Sequence, residues 1–448
     1  MAREESIAVV GCGYVGLVTA VGLAEQGCRV RAYDISPVRI AACRALDFPI
    51  LEPGLNEAAK AAKDRLTFHD VREEPWSRAA FTFLAVPTPQ GEAGYPNLSY
   101  LREALTWIAS GPDPVTTASV IVIRSTVPPG TAQWAKAEIE RLVGGKVLVA
   151  SNPEFLQEGS ALHDFREPSR ILIGTEDADA AVRLRKLMAF TAAPVIVTDT
   201  RTAELTKYAS NAFLAMRVSF ANELSTLAEH EGANPLVMLQ TVGMDPRIGS
   251  RYLRPGVGYG GSCLPKDVAA LISLGNAADA PMELMRATQQ VNELQRRRLI
   301  RALTDGLDGL SGRRVAVLGL AFKPETNDVR ESPGLRIARD LLISGVDVVA
   351  WDVAVRRHDL PAGDAQMTLV ADPYEALRDV DAAVLCTEWP EVADLDFARA
   401  AGLMRGTLLV DGRYAWDAAR AADAGLELVR IGTMGRRRSA PTSAVRVS

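Results

Sequence analysis

The chain has 448 residues, of which 48% are hydrophobic and 23% charged, and its formal net charge is −5. A chain of this length is expected to fold as two or three domains rather than around one core. The small negative charge excludes a strong general attraction to nucleic acid or to an anionic membrane. No apolar run reaches the roughly 18 residues of a transmembrane helix, and the N-terminal sequence MAREES does not resemble a secretion signal.

Cysteine and histidine are few and scattered. The chain has five cysteines and four histidines, with no CxxC motif and no Cys/His cluster. A disulfide framework, a structural zinc site and a histidine-based catalytic triad are therefore not expected. We expect a cytoplasmic protein that binds no metal ion.

Short apolar runs alternate with helical patterns in the first part of the chain, residues 1–201. Strands are predicted at residues 7–10, 29–33, 81–86, 119–123, 147–150 and 171–174, and a helix at residues 17–25. This alternation is typical of a parallel β-sheet with helices on both of its faces.

The first predicted strand is followed by the sequence GCGYVG at residues 11–16. In a dinucleotide-binding turn, Gly11 permits the tight turn, Gly13 lets the backbone approach a pyrophosphate, and Gly16 packs helix on sheet. Asp34 ends the next strand and can bind a ribose diol, which favours NAD, whereas the nearby Arg39 keeps NADP as an alternative. A glycine-rich turn without a ligand is the other interpretation.

Helical patterns dominate residues 202–301. Long helices are predicted at residues 202–231 and 281–301, separated by an irregular Gly/Pro-rich loop at residues 243–265. A helix of about eight turns usually spans between domains or packs against a partner chain. The loop is a candidate for function because long ordered loops often carry it.

The end of this loop, GGSCLPKD at residues 260–267, contains Cys263. Glycines allow a backbone to approach a ligand closely. A neighbouring cation such as Lys266 increases the thiolate fraction of a cysteine. The run therefore fits a nucleophile that forms a covalent intermediate. A buried cysteine in a tight turn is the alternative.

The third part, residues 302–434, repeats the strand-then-glycine opening at residues 315–319. Further strands are predicted at residues 346–351, 382–386 and 407–410, and a helix at residues 332–344. Asp352 takes the place that Asp34 has in the first part, but the glycine triplet is incomplete. A nucleotide is therefore expected here rather than a dinucleotide. Residues 435–448 are rich in Arg, Ser and Pro and are predicted to be a disordered tail.

The predicted fold class is α/β, with two Rossmann-like, doubly wound parallel-sheet lobes joined by a central helical block. Nine motifs in order resemble the UDP-glucose/GDP-mannose dehydrogenase family over about residues 5–430. They are GCGYVGLVTA at 11–20, PILEPGL at 49–55, VPTP at 86–89, STVPPGT at 125–131, NPEFLQEGSA at 152–161, KYASNAFLA at 207–215, RIGSRYLRPGVGYGGSCLPKD at 247–267, AFKPETNDVRESP at 321–333 and DGRY at 411–414.

The resemblance implies NAD-dependent, four-electron oxidation of the C6 hydroxyl of a nucleotide-linked hexose, through a thiohemiacetal and a thioester on Cys263. UDP-glucose is the expected substrate, and dTDP-glucose, GDP-mannose and a UDP-N-acetylhexosamine are the alternatives. A non-catalytic nucleotide sensor and a two-electron alcohol dehydrogenase remain as other classes. Retention of Cys263 with Lys207, Asn211 and Asp267 speaks against the sensor, and the two-electron enzyme would not need the thiol.

The resemblance also implies the site residues. The implied catalytic residues are Cys263 as nucleophile, Lys207 as proton acceptor or oxyanion partner, Asn211 as donor, Asp267 as the acid that positions water or Lys207, and Glu154 and Thr126 in the proton-transfer and water network. The implied cofactor-binding residues are Gly11, Gly13, Tyr14, Val15, Gly16, Asp34, Arg39, Thr88, Thr126, Glu158 and Arg330. The implied substrate-binding residues are Glu154, Phe155, Leu156, Glu158, Lys207, Asn211, Arg247, Tyr252, Leu253, Arg254, Gly256, Gly260, Lys323 and Arg413.

Two positions bear on assembly and on the match to the family. Arg247 corresponds to a residue that can reach a neighbouring subunit's site, which implies a homodimer or a higher homo-oligomer; a local salt bridge is its alternative role. Arg124 stands where the family commonly has Lys.

Overall fold

A computed structural model of the protein describes residues 5–113 and 115–432. The described chain divides into two compact units. The first unit holds the residues up to Asn211 together with Ala269–Pro281, and the second holds Ala212–Val268 together with the described residues from Met282 onward. The tail predicted at residues 435–448 lies outside the described residues.

A sheet of eight strands forms the centre of the first unit. Its strands are β1 Ser6–Val10, β2 Arg29–Asp34, β3 Leu66–Asp70, β4 Phe81–Leu84, β5 Val120–Ile123, β6 Leu148–Ser151, β7 Ile171–Gly174 and β8 Val195–Thr198. The strand order is β3-β2-β1-β4-β5-β6-β7-β8. Neighbours run parallel except β6 and β7, which meet in an antiparallel bridge between Ser151 and Gly174.

Helices cover this sheet, which explains why its central strands read as continuous apolar runs. The helices are α1 Tyr14–Glu25, α2 Pro37–Arg44, α3 Leu55–Ala61, α4 Ser99–Ala109, α5 Thr131–Val143, α6 Ala161–Arg166 and α7 Ala178–Leu187. All residues of β4 and β5 are buried. The strand order reverses between β1 and β4, so the crevice at the carboxyl ends of these strands is the expected ligand site.

The second unit contains a sheet of six strands that are all parallel in the described residues. Its strands are β9 Arg314–Leu318, β10 Asp347–Trp351, β11 Thr368–Val370, β12 Ala382–Leu385, β13 Leu408–Asp411 and β14 Glu427–Arg430. The order β11-β10-β9-β12-β13-β14 repeats the first six positions of the other sheet. Its helices are α12 Pro333–Ile343, α13 Pro373–Ala376, α14 Pro390–Ala393, α15 Phe397–Leu403 and α16 Ala418–Asp423.

The remaining helices form the helical block between the two sheets in the sequence. They are α8 Thr200–His230, α9 Pro235–Gly243, α10 Leu264–Ala277 and α11 Glu283–Leu307. Helix α8 begins in the first unit and ends in the second. The predicted fold class is confirmed. The three domain ranges given above stay a prediction.

Two features of residues 5–113 and 115–432 concern membrane crossing and metal binding. Within these ranges, no helix combines the length and the apolar character that a membrane crossing requires. In the same part of the chain, no three His, Cys, Asp or Glu side chains are grouped so that they could hold a metal ion.

Candidate active site

The turn after β1 has no room for a side chain at its two ends, Gly11 and Gly16, but has room for one in its middle, at Gly13. Gly11 has a φ of +101°, and a side chain there would strike the carbonyl group of Ala85. A side chain at Gly16 would collide with the carbonyl oxygen of Gly11, whereas a Cβ at Gly13 would meet no heavy atom within 4 Å. Gly13 is also the N-cap of α1, which no side chain caps in the described structure. These features fit a dinucleotide whose phosphates lie at the helix N-terminus.

Asp34 is a buried carboxylate at the carboxyl end of β2. Its oxygens accept hydrogen bonds from the backbone N–H groups of Cys12 and Ser36, each at 2.8 Å. The guanidinium of Arg39 lies 3.1 Å from the same carboxylate. Arg39 therefore pairs with Asp34, and a carboxylate at this place suits a ribose diol better than a 2′-phosphate.

The loop after β6 carries a buried ion pair. Nζ of Lys207, on α8, lies 2.9 Å from Oε1 of Glu154, and both side chains are almost fully buried. The second oxygen of Glu154 accepts the N–H of Leu156 at 2.6 Å. Burial raises the pKa of Glu154, but the charge and hydrogen bond of Lys207 outweigh burial and bring it below its ordinary value. Glu154 is therefore ionised at neutral pH.

Arg124 places a second buried cation behind this loop. It donates to the carbonyl oxygen of Asn152 at 3.1 Å and to the side-chain oxygen of Asn152 at 2.7 Å. Burial lowers the pKa of Arg124 to about 10, so the side chain keeps its charge at neutral pH and contributes to the low pKa of Glu154. The change from Lys to Arg at this position therefore preserves a cation.

Other implied residues of the first unit lie beside these two features. Phe155 packs its ring 3.7 Å from the Arg170 guanidinium and 5.5 Å from Lys207 Nζ. The hydroxyl of Thr88 donates to the carbonyl oxygen of Thr126 at 2.8 Å, which ties the loops after β4 and β5 together. Asn211 is buried one helical turn after Lys207. Val15, Leu156 and Glu158 are half-buried.

Cys263 immediately precedes α10 in the second unit, and its side chain is exposed, unlike those of the other four cysteines. Lys266 was expected to be the cation beside the thiol, but its Nζ lies 2.6 Å from the fully buried Asp267. Lys266 is therefore already paired with a carboxylate. The N-terminus of α10 also favours a thiolate at this place.

A side chain on either of the two glycines before Cys263 would collide with other parts of the protein. A side chain on Gly260 would strike the carbonyl oxygen of Glu331. Gly261 has a φ of +82°, and its N–H donates to the carbonyl oxygen of Arg330 at 3.1 Å. The two glycines thus let the cysteine loop pack on the segment 320–332 that follows β9.

Three amide side chains, which the sequence interpretation missed, hold the cysteine loop. Asn222 accepts the N–H of Gly256 at 2.8 Å, and Gln295 donates to the carbonyl oxygen of Gly256 at 2.9 Å. Asn292 exchanges two hydrogen bonds with the backbone of Tyr259. Their signal in the sequence is weak, because amides on long helices are usually solvated.

The implied substrate residues of the second unit fall into two groups. Arg413 lies at the carboxyl edge of the second sheet and donates to the carbonyl oxygens of Cys386 and Phe322 at 2.6 and 3.1 Å. Lys323 Nζ lies 5.6 Å from the ring of Phe322. Arg254 donates to the carbonyl oxygen of Tyr414 at 2.8 Å.

The second group consists of Tyr252, Leu253 and the exposed Arg247. The exposed Arg330, in the same unit, is instead an implied cofactor-binding residue. Tyr252 has a φ of +62°, and Leu253 is buried. The exposed arginines form local salt bridges, Arg247 with Asp245 and Arg330 with Asp328, each at 2.6 Å. For Arg247 the local salt bridge is the alternative that the sequence had left open.

Three models of one protein family match the chain. They are the NAD binding domain at residues 5–191, the central domain at residues 201–294 and the UDP binding domain at residues 316–418 of the UDP-glucose/GDP-mannose dehydrogenase family. The chain belongs to this family. Membership confirms the predicted oxidoreductase class and NAD cofactor, and the UDP binding domain agrees with a nucleotide-linked substrate.

Similar proteins cover almost the whole chain. UDP-glucose 6-dehydrogenase YwqF of Bacillus subtilis is 38% identical over 98% of this chain and 100% of its own length. A UDP-glucose 6-dehydrogenase of Pseudomonas aeruginosa is 40% identical over 95% of this chain and 97% of its own. The solved UDP-glucose dehydrogenase of Pyrobaculum islandicum is 40% identical, covers 94% of this chain and 96% of its own, and superposes with a TM-score of 0.85.

Proposed function

We propose that the protein oxidises UDP-glucose at C6 to UDP-glucuronate with two NAD⁺. The observation that carries this proposal is the exposed thiol of Cys263 at a helix N-terminus, in a chain that belongs to this family. The names of the similar proteins, which cover more than nine-tenths of the chain, support UDP-glucose as the hexose.

The chemistry proceeds in three stages. Loss of a proton from the C6 hydroxyl and of a hydride from C6 gives an aldehyde, and NAD⁺ supplies the hydride acceptor. The thiolate of Cys263 then adds to the aldehyde carbon to form a thiohemiacetal. Loss of its hydroxyl proton, and of a hydride that the second NAD⁺ accepts, gives a thioester. Water finally breaks the carbon–sulfur bond, which releases the carboxylate and restores the thiol.

The buried ion pair defines the role that we assign to Lys207. Because Glu154 is ionised and lies 2.9 Å away, Lys207 carries a fixed positive charge. Such a charge stabilises the negative oxygen that develops at C6. Asn211, one turn along α8, donates a hydrogen bond to the same oxygen, and Thr126 and Asp267 orient the water that cleaves the thioester.

The remaining implied residues divide by unit. We propose that Gly11–Gly16, Asp34, Arg39, Thr88 and Glu158 bind NAD. We also propose that the loop Glu154–Glu158 contacts the sugar nucleotide, and that Arg254, Gly256, Lys323 and Arg413 bind the nucleotide of the substrate. The open space around Gly13 and the position of Arg413 at a carboxyl sheet edge support these assignments. Arg330 stays a weaker assignment to the cofactor because it pairs with Asp328.

We further propose that two copies of the chain pair through α8. Phe213, Phe220 and Leu227 are 54%, 46% and 56% exposed, and they recur every seven residues. This spacing places them on one face of the helix, as in helices that pack against a partner helix. Arg247, with an 87% exposed side chain, is the proposed contact to the neighbouring site. The cytoplasmic location stays a prediction.

Counting NADH per sugar over a panel of UDP-, dTDP- and GDP-sugars tests the function. We expect two NADH per UDP-glucose and little turnover of the other sugars. One NADH per sugar would indicate a two-electron alcohol dehydrogenase, and no NADH from any sugar would indicate a nucleotide sensor. Two NADH from a different sugar would retain the chemistry and overturn the substrate.

A further inference from the structure

Glu52, in the loop between α2 and α3, is a buried carboxylate whose two oxygens are both occupied. Oε2 accepts the hydroxyl of Tyr14 and, at 2.9 Å, the N–H of Gly159. Oε1 accepts the N–H of Leu162 at 3.0 Å. Glu52 therefore joins Tyr14 to residues 159–162, two places that are far apart in the sequence and that both belong to the first unit.

Tyr14 is the connection to the cofactor side. It is the first residue of α1 and directly follows Gly13, around which the turn is open. Its hydroxyl oxygen also accepts the N–H of Gly159 at 2.7 Å. Burial and the hydrogen bond to Glu52 raise the pKa of Tyr14. The hydroxyl therefore keeps its proton and donates a hydrogen bond to Glu52.

Gly159 and Leu162 are the connection to the substrate side. Gly159 directly follows Glu158 and has a φ of +83°. Leu162 lies in the first turn of α6, whose N-cap residue Ser160 makes no capping hydrogen bond with its side chain. Glu52 supplies that cap, because unpaired N–H groups at a buried helix end are costly. Lys207 holds the start of the same loop through Glu154.

We propose that Glu52 is a positioning residue that couples the dinucleotide turn to the loop carrying Glu154 and Glu158. A shift of Tyr14 when a dinucleotide binds is transmitted through Glu52 to Gly159 and to the N-terminus of α6. Coupling of this kind is reciprocal, so a ligand held by the loop also strengthens dinucleotide binding. The assignment of this loop to the sugar nucleotide rests on the proposed function.

Two variants distinguish this coupling role of Glu52, which we call the bridge, from a role as a simple cap of α6. Glu52→Gln keeps the size of the side chain. It places an NH₂ donor opposite the two donors whose hydrogen bonds Oε2 accepts in the wild type. Tyr14→Phe removes the hydroxyl and leaves Glu52 on Gly159 and Leu162. Asp177→Asn is the matched control, because Asp177 caps α7 by accepting the N–H groups of Asp179 and Ala180. If Glu52→Gln does not fold, Tyr14→Phe carries the test.

The measurements are deuterium uptake of residues 155–162 with and without NADH, and NADH affinity by fluorescence with and without UDP-glucose. In the wild type we expect NADH to reduce the uptake, and UDP-glucose to raise NADH affinity at least about fivefold. Glu52→Gln and Tyr14→Phe should lose both responses, and Asp177→Asn should keep them.

Two outcomes would overturn the bridge. One is a wild-type protein in which NADH does not change the deuterium uptake of residues 155–162. The other is a pair of variants with lower melting temperatures that retain both responses, which would mean that Glu52 only caps α6. A wild type that responds to NADH but does not bind UDP-glucose would contradict the proposed substrate. In that case, the deuterium uptake of residues 155–162 with NADH alone would still test whether Glu52 couples this loop to the dinucleotide turn.

Discussion

The turn after the first strand is built in the same way in the two sheets. Gly11 donates its N–H to the carbonyl oxygen of Tyr33, and Gly319 donates to that of Trp351, each at 2.8 Å. Both glycines have a φ near +100°. The resemblance ends within a few residues. Helix α1 starts at Tyr14, whereas α12 starts only at Pro333, after the inserted segment 320–332.

This insertion decides what each helix N-terminus can bind. Gly13 caps α1 with no side chain, so the first N–H groups of that helix are available to a phosphate. In α12 the hydroxyl of Ser332 accepts the N–H of Leu335, and Pro333 has no N–H to offer. The same turn therefore suits a pyrophosphate in the first sheet, while the second uses its insertion to hold the cysteine loop.

The two aspartates at the strand ends differ in the same way. Asp34 accepts two backbone N–H groups and pairs with the half-exposed Arg39. Asp352 accepts the N–H groups of Leu320 and Ala321 and the indole N–H of Trp389. Its other oxygen accepts two further backbone N–H groups. Asp352 is thus a structural residue in the position that corresponds to Asp34, which we propose binds the cofactor.

The largest expected effect separates these two aspartates. Asp352→Ala should lower the free energy of unfolding by about 3 kcal/mol or more, because several buried donors lose their acceptor. Asp34→Ala, the matched variant, should cost only about 1 kcal/mol and should mainly weaken NAD binding. Urea unfolding of both variants checks this. Equal losses of stability would mean that the two aspartates contribute equally to the stability of the fold.

The next effect tests the open middle of the first turn. Gly13 has extended backbone angles that alanine also adopts, and a Cβ there meets no protein atom. Gly13→Ala should therefore leave the melting temperature unchanged while the KM for NAD⁺ rises about tenfold or more, because the methyl group occupies the place of the phosphates. Gly334→Ala is the contrast in the second sheet.

A side chain at Gly334 would collide with the carbonyl oxygen of Gly319, as one at Gly16 would with Gly11. Gly334→Ala should therefore destabilise the protein by about 2 kcal/mol with little effect on the KM for NAD⁺. An unchanged KM for NAD⁺ in Gly13→Ala would contradict the proposal that the phosphates bind at this turn.

The last effect is a pH dependence that comes from a carboxylate of the first unit. Glu204 accepts the N–H groups of Gly130 and Ala132 at the start of α5, and burial raises its pKa to about 7 from the ordinary 4.5. The folded protein thus retains a proton that the unfolded chain releases, so stability falls as pH rises from 4.5 to about 7.

Because each tenfold difference in proton affinity between the folded and unfolded states corresponds to about 1.4 kcal/mol, this loss should amount to about 3 kcal/mol. Glu204→Gln should remove the slope, although its stability at low pH is reduced by the loss of one acceptor. Urea unfolding at pH 5 and pH 8 compares the two proteins. An identical slope in wild type and variant would place the proton elsewhere.

The sequence predicted the elements whose side chains are buried on both faces of the sheets. Strands such as β1 and β12 are unbroken apolar runs, and their parallel arrangement follows from the alternation with helices. The edge strand β8 was missed although its sequence VIVT is nearly the same as the VIVI of the buried strand β5. The exposure of Ile196 and Val197 distinguishes the two strands only in the folded protein. The antiparallel bridge between β6 and β7 rests on a single residue pair and leaves no pattern.

The site was predictable where a short motif carries it and not where distant residues meet. GCGYVG at residues 11–16 shows the first turn directly. Gly334 completes the second turn from beyond a long insertion, so the triplet looked incomplete. The pairing of Lys266 with Asp267 and the contacts of Glu52 depend on tertiary packing, which no spacing in the sequence reveals.

The central claim is that Cys263 binds the oxidised sugar covalently. Its most direct test is mass spectrometry of the peptide containing Cys263 after an acid quench during turnover of UDP-glucose and NAD⁺, with Asp267→Asn included to slow thioester cleavage. The account predicts a UDP-glucuronyl adduct on Cys263 that accumulates in Asp267→Asn. Formation of UDP-glucuronate at the wild-type rate by Cys263→Ser, with no adduct on the wild-type peptide, would contradict it.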